Sequence, residues 1–312
     1  MISIAEAPGK IILTGEHFVV HGAQALAAAI NKKIRVTSSF SSNNTISYKN
    51  QRIHSTNYNI KNDPVYIVRN KTLEYLREKS TLSITIDSGI PRGSGLGSSS
   101  ALCVATAASV ASLFNTKLDR KTLFDLAMYG EKKIHGNPSG IDVAVSIMGG
   151  LISFRKDFDP KRITLKHNPE LIVSISGKRR KTSNMINKFA NLRNDKPSTF
   201  LSLVDSSNTL TKKTLSALSK KDYISVGSYF NFFNSTLNSL GLSSLPTDNL
   251  IEKCLELGSY GAKITGGGGG GSIIAISPSR HIGMIVSELN NMNFETFSVK
   301  LPQQGVKVWS IN

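Results

Sequence analysis

The chain opens on a short apolar run, residues 2–7, which reads as a strand. Residues 25–40 contain Ile34-Arg35-Val36-Thr37, whose alternation predicts a second strand. Residues 38–50 are polar and turn-rich, and a hairpin or loop is expected there. Val65, Val68, Leu73 and Leu76 recur at helical spacing, so 64–79 is predicted as a helix with Pro64 near its start. Residues 82–87 alternate as a strand. A glycine-rich turn follows, and then a run of small and apolar residues, 98–114, that predicts a buried helix. A second helix is expected over 119–134 with Asp119 as its N-cap. Gly149-Gly150 leads into a strand at 151–154. Residues 155–168, charged and containing Pro160, mark a boundary. Beyond it come one strand at 171–176, several helical stretches between 182 and 258, and a strand–helix–strand set over 272–309. Strands and helices in blocks favour an α+β arrangement in two domains, 1–165 and 166–312.

Composition narrows the class. The chain has 312 residues, 39% hydrophobic and 19% charged, which suits a two-domain globular protein. Its two cysteines, Cys103 and Cys254, are far apart and lack metal-ligand spacing, so a disulfide framework or zinc site is not expected. No basic segment followed by a long apolar stretch stands at the N-terminus, and no run approaches the ~20 apolar residues of a membrane span. A cytoplasmic protein without membrane attachment is the expectation. The net charge of +17 favours anionic partners. The lysines are scattered, however, and the densest run is only Lys178-Arg179-Arg180-Lys181. No basic–aromatic stripe is present, so nucleic acid is not expected as a partner.

Four segments carry candidate chemistry. PRGSGLGSSSA (91–101) joins a predicted strand to a predicted helix. Glycines at alternate positions permit close approach of a ligand, and the N–H groups of such a loop at a helix N-terminus favour an anion. No lysine follows the last glycine, so it is not a Walker A loop. EKKIHGNPSGIDVAVSIMGG (131–150) places Glu131 near a helix end and Asp142 after a turn. Phosphoryl transfer needs one carboxylate for Mg²⁺ and often a second for the nucleophile, although isolated carboxylates are usually solvated or capping residues. KITGGGGGGS (263–272) holds six consecutive glycines, whose entropic cost argues for another chain or ligand passing close by. APGKIILTGEHFVVHG (7–22) sets Lys10, Glu16, His17 and His21 between strand-like runs.

These four segments, in their order along the chain, resemble the GHMP kinases, and APGKIILTGEHFVVHG (7–22) and HGNPSGID (135–142) resemble the mevalonate kinases among them. The resemblance spans residues 5–276. It implies an N-terminal domain like a ribosomal-protein domain, with a left-handed βαβ crossover, and a ferredoxin-like C-terminal domain. It also implies ATP-dependent phosphorylation of mevalonate to 5-phosphomevalonate in isoprenoid biosynthesis, with phosphomevalonate or homoserine kinase as the alternative. Asp142 matches the catalytic aspartate and Lys10 the lysine that pairs with it. Ser99 and Glu131 match the Mg²⁺ ligands. Pro91, Gly93, Ser94, Gly95, Leu96, Gly97, Ser98, Ser99, Ser100 and Ala101 match the loop around the ATP triphosphate. Glu16, His17, Arg180, Thr182, Gly267 and Gly268 match substrate-side positions. Two departures are visible: the family usually has alanine where Gly267 stands and cysteine where Ser272 stands. A homodimer is left open.

Overall fold

The computed structural model describes residues 1–49, 62–156, 158–178 and 191–311. Strand β1 runs over Ile2–Thr14 and β2 over Ala25–Phe40, paired antiparallel. The sequence pattern ends the first strand at residue 7 because Pro8-Gly9 reads as a break. The strand instead continues through a register shift between Pro8 and Lys10. Proline cannot donate to a ladder, and a bulge absorbs the missing bond while twisting the strand.

β3 (Thr45–Tyr48) lies inside the stretch expected to be a hairpin or loop. It pairs parallel with β4 (Leu82–Ser88), and α1 (Pro64–Leu76) stands between them in sequence. Asp63 caps α1 by accepting from the Val65 N–H at 2.7 Å, and Pro64 occupies the first turn, where its missing N–H costs nothing. α2 (Ser98–Leu113) is buried along almost its whole length, in keeping with its uninterrupted run of small and apolar residues. α3 (Arg120–His135) starts at Asp119, whose carboxylate accepts from the Thr122 N–H at 2.8 Å. The short α4 (Ile141–Met148) is bounded by Gly140 and Gly149. β5 (Leu151–Phe154) pairs with β2 and with β6 (Lys161–Ile163).

The second unit holds β7 (Leu171–Ile175), then α5 (Pro197–Ser219), α6 (Tyr223–Ser239) and α7 (Leu245–Glu256). These are followed by β8 (Gly261–Thr265), β9 (Ser272–Ile276), α8 (Ser279–Asn291) and β10 (Thr296–Val299). The sheet order β10-β7-β9-β8, all antiparallel, is the arrangement of a ferredoxin-like βαββαβ unit with additional helices.

The last strand, β11 (Lys307–Ile311), does not join the second sheet. It leaves the second unit and pairs antiparallel with β1, as the outer strand of the first sheet. Every side chain of β11 is exposed, so burial periodicity gave no sign of where it docks. The two units also share a core. One buried cluster runs from Ile11, Ile30 and Val104 of the first unit through Val173, Phe230 and Ile276 of the second. Among the described residues, no helix is long and apolar enough to cross a membrane.

Candidate active site

The bulge in β1 delivers Lys10, whose side chain is almost fully buried. Its Nζ lies 3.1 Å from Asp142 Oδ1 and donates to the Gly95 carbonyl at 3.1 Å. Its backbone N–H donates to the Leu96 carbonyl at 2.8 Å. Asp142 sits in the first turn of α4, where the helix dipole favours a carboxylate. Ser146, one turn further along, donates to the Pro8 carbonyl at 2.9 Å and ties α4 to the bulge itself. The lysine side chain is 2% exposed and the aspartate 33%, so an enclosed ammonium backs a partly exposed carboxylate.

The loop between β4 and α2 brings Gly93, Gly95 and Gly97 to φ of +73°, +79° and +76°, a region open to glycine at no steric cost. At Gly97 the constraint is also spatial, since a Cβ would stand 2.8 Å from Lys10 Cγ. Ser98, Ser99 and Ser100 form the first turn of α2, whose leading N–H groups have no partner within the helix. Glu131, nearly buried near the end of α3, accepts hydrogen bonds from the hydroxyls of Ser99 and Ser100. Ser99 and Glu131 offer only hard oxygen donors, as Mg²⁺ requires. Two protein ligands completed by phosphate oxygens and water are the usual Mg²⁺ arrangement in phosphoryl-transfer sites. Among the described residues no group of three or more His, Cys, Asp or Glu could hold a metal by itself. An ion here would therefore be shared with a polyphosphate.

The glycine run of 266–271 has another segment of the same chain close by. A Cβ at Gly268 would lie 2.4 Å from the Leu242 carbonyl, and the Gly269 N–H donates to that same oxygen at 2.7 Å. Gly266, Gly268, Gly269, Gly270 and Gly271 all have positive φ; Gly267 does not. The strands on either side are tied to the first unit. Thr265 Oγ1 accepts from the Ile12 N–H at 2.8 Å and donates to the Ile12 carbonyl at 3.1 Å. Ser272 Oγ donates to the Ser94 carbonyl at 2.8 Å.

Glu16, matched by resemblance to the substrate side, is enclosed in this structure. It is 1% exposed, and its Oε1 accepts from Lys263 Nζ. Burial pushes the Glu16 carboxyl up and the Lys263 ammonium down, each against the pull of the other. The physical reason is position: Glu16 follows the buried end of β1, beneath β8 of the other unit. His17 is partly exposed, with φ of 61°. Arg180 and Thr182 lie outside the described residues. Lys263 and Thr265 are not among the site residues expected from the sequence, where Ser272 stands only as a departure from the family. Lys263 had a signal, a charged residue inside the otherwise uncharged strand GAKIT.

A cavity of about 500 Å³ lies between the start of β2, the β5–β6 turn and α5. Gln24, Arg155, Lys161, Asp205, Asn208 and Lys212 are among its lining residues; Lys10 and Asp142 are not. Arg155 Nε donates to the Gly22 carbonyl at 2.7 Å, which fixes the end of the GEHFVVHG segment. Both cysteines are buried, and burial pushes the Cys254 thiol up to about 12 and Cys103 well above its usual value. Neither thiol is a nucleophile at neutral pH.

Comparison with known proteins bears on this geometry. The GHMP kinases N terminal domain matches residues 65–150, and the GHMP kinases C terminal domain matches residues 214–292. The mevalonate kinase of Aeropyrum pernix is 29% identical, covering 97% of each chain. That of Archaeoglobus fulgidus is 33% identical over 88% of this chain and 92% of its own. The crystal structure of L. major mevalonate kinase in complex with R-mevalonate superposes with a TM-score of 0.83 at 26% identity, covering 96% of both chains. Matches to both halves of one family, and 33% identity over nearly a full relative, agree with the site and the two sheets: the chain belongs to the GHMP kinases.

Proposed function

We propose that this kinase transfers the γ-phosphoryl group of ATP to the primary hydroxyl of mevalonate, forming 5-phosphomevalonate. The observation that carries the reaction is the 3.1 Å contact between Lys10 Nζ and Asp142 Oδ1, beside the glycine loop. The substrate rests on the relatives, which are mevalonate kinases over nearly their full length.

The triphosphate lies over residues 93–99, against the N–H groups that open α2. Mg²⁺, held by Ser99 and Glu131, would neutralise charge on the bridging phosphates when bound. Asp142 accepts or orients the hydroxyl proton, and Lys10 holds the carboxylate in place while offsetting charge on the attacking oxygen. Phosphoryl transfer passes through a loose transition state, so placement and charge stabilisation supply most of the rate.

The test is ADP release from Mg·ATP with mevalonate, phosphomevalonate, homoserine and galactose supplied singly. Turnover with mevalonate alone is expected. Turnover with a different acceptor and none with mevalonate would refute the substrate while leaving the kinase.

A further inference from the structure

Three consecutive carbonyls of the glycine loop are each held by a donor from outside it. Leu96 O accepts from the Lys10 N–H at 2.8 Å, and Gly95 O from Lys10 Nζ at 3.1 Å. Ser94 O accepts from Ser272 Oγ at 2.8 Å. Two of these anchors thus come from one residue of the first sheet. The third comes from the first residue of β9, in the second unit. Ser272 is 0% exposed and Ser94 1%, so water does not compete for this bond.

Holding carbonyls constrains the other face of the loop. The C=O and N–H of one peptide point in opposite directions. A carbonyl fixed toward Lys10 or Ser272 leaves the next N–H turned away from that anchor. Gly93, Gly95 and Gly97 have positive φ, while Ser94 and Leu96 between them do not. That alternation is the backbone pattern of an anion nest. Anchored carbonyls keep the nest formed before an anion arrives, which removes an ordering cost from binding. The hydroxyl of Ser94 is committed elsewhere, donating to the Pro91 carbonyl at 2.7 Å and closing the base of the turn.

We propose that Ser272 is a positioning residue for the ATP triphosphate, acting through Ser94 and not on the nucleotide itself. The inference rests on the reading of residues 93–99 as the triphosphate site. It makes the second unit a part of that site: ATP binds well when β9 is seated against the loop. The hydroxyl is also a departure of this chain, since the family usually carries a cysteine here and a thiol is a weaker donor. Thr265, with its two bonds to Ile12, holds the β8–β9 pair against β1 whether or not Ser272 keeps its hydroxyl.

The experiment compares the full-length wild type with Ser272→Ala and Ser272→Cys. Mg·ATP affinity is read by calorimetry without acceptor, and KM for each substrate by ADP release. Loss of one hydrogen bond predicts roughly three- to tenfold weaker ATP binding in Ser272→Ala. The KM for the acceptor should stay within about twofold of wild type, and Ser272→Cys should fall between the two. Unchanged ATP affinity in Ser272→Ala would overturn the proposal. So would equal weakening of ATP and acceptor, or a loss of folded structure by circular dichroism, because either makes the residue a general stabiliser. A wild type that binds ATP but phosphorylates none of the four acceptors refutes the substrate alone, and the calorimetric ratio still decides on Ser272. A wild type that fails to bind ATP overturns both readings.

Discussion

At the scale of single residues, the site depends on the unequal surroundings of Lys10 and Asp142. The ammonium is enclosed and has two oxygen partners, Asp142 Oδ1 and the Gly95 carbonyl, whereas the carboxylate is a third exposed. Asp142→Asn keeps the shape but removes the proposed base, and a fall in kcat of about 10²–10⁴-fold is expected with KM for ATP little changed. Wild-type turnover in this variant would remove Asp142 from proton handling. Lys10→Met should lower kcat by about 10²–10³-fold. It should also weaken ATP binding, because Nζ holds a carbonyl of the loop; a kcat effect with unaltered ATP affinity would show that this anchor is unimportant.

At the scale of elements, the β4–α2 turn is specified by its backbone. Gly97, the cap of α2, combines a left-handed φ of +76° with a Cβ position only 2.8 Å from Lys10 Cγ. Gly97→Ala must either strain the turn, at about 1–2 kcal/mol, or displace Lys10. A loss of kcat/KM for ATP of roughly five- to thirtyfold is expected from an effect of that size. Steady-state kinetics with intact far-ultraviolet dichroism is the check, and near-normal kcat/KM would mean that the loop tolerates a shift. The same element illustrates how far pattern reading reaches. The 98–114 helix was legible because a long run of small and apolar residues has few other uses. The continuation of β1 beyond residue 7 was not, because Pro8-Gly9 breaks the local pattern and only pairing with β2 carries the strand across.

At the scale of the whole molecule, the two units are bound by a shared core and by buried polar contacts. Lys263 and Glu16 have side chains that are 0% exposed, one from each unit. Removing one member of such a pair strands the other charge, at a cost of about 3–5 kcal/mol, while replacing both by neutral groups costs much less. Lys263→Met should therefore lower stability in chemical denaturation by that amount, and Lys263→Met with Glu16→Gln should recover most of it. A double variant no more stable than the single one would mean that the carboxylate is not the stranded partner. The C-terminal segment adds a further tie. Pro302 O accepts from the Gly150 N–H at 2.8 Å, and a Cβ at Gly305 would lie 2.0 Å from the Ile147 carbonyl. The chain thus passes over the end of the helix that carries Asp142 before β11 joins the strand that carries Lys10.

The sequence by itself determined the local structure: the glycine turn before a buried helix, the Asp119 cap and the strands at 82–87 and 151–154; it also nominated Lys10, Ser99, Glu131 and Asp142 through the resemblance. Each depends on neighbours a few residues away, or on segments whose order along the chain is distinctive. Only the tertiary structure decided what meets across the chain. It turned Glu16 inward onto Lys263, set Ser272 against Ser94, and returned residues 307–311 to the first sheet. The physical reason is common to all three. A charged residue, a serine and an exposed strand are ordinary on a surface, and their roles come from partners 178 to 309 positions away, which no local periodicity encodes.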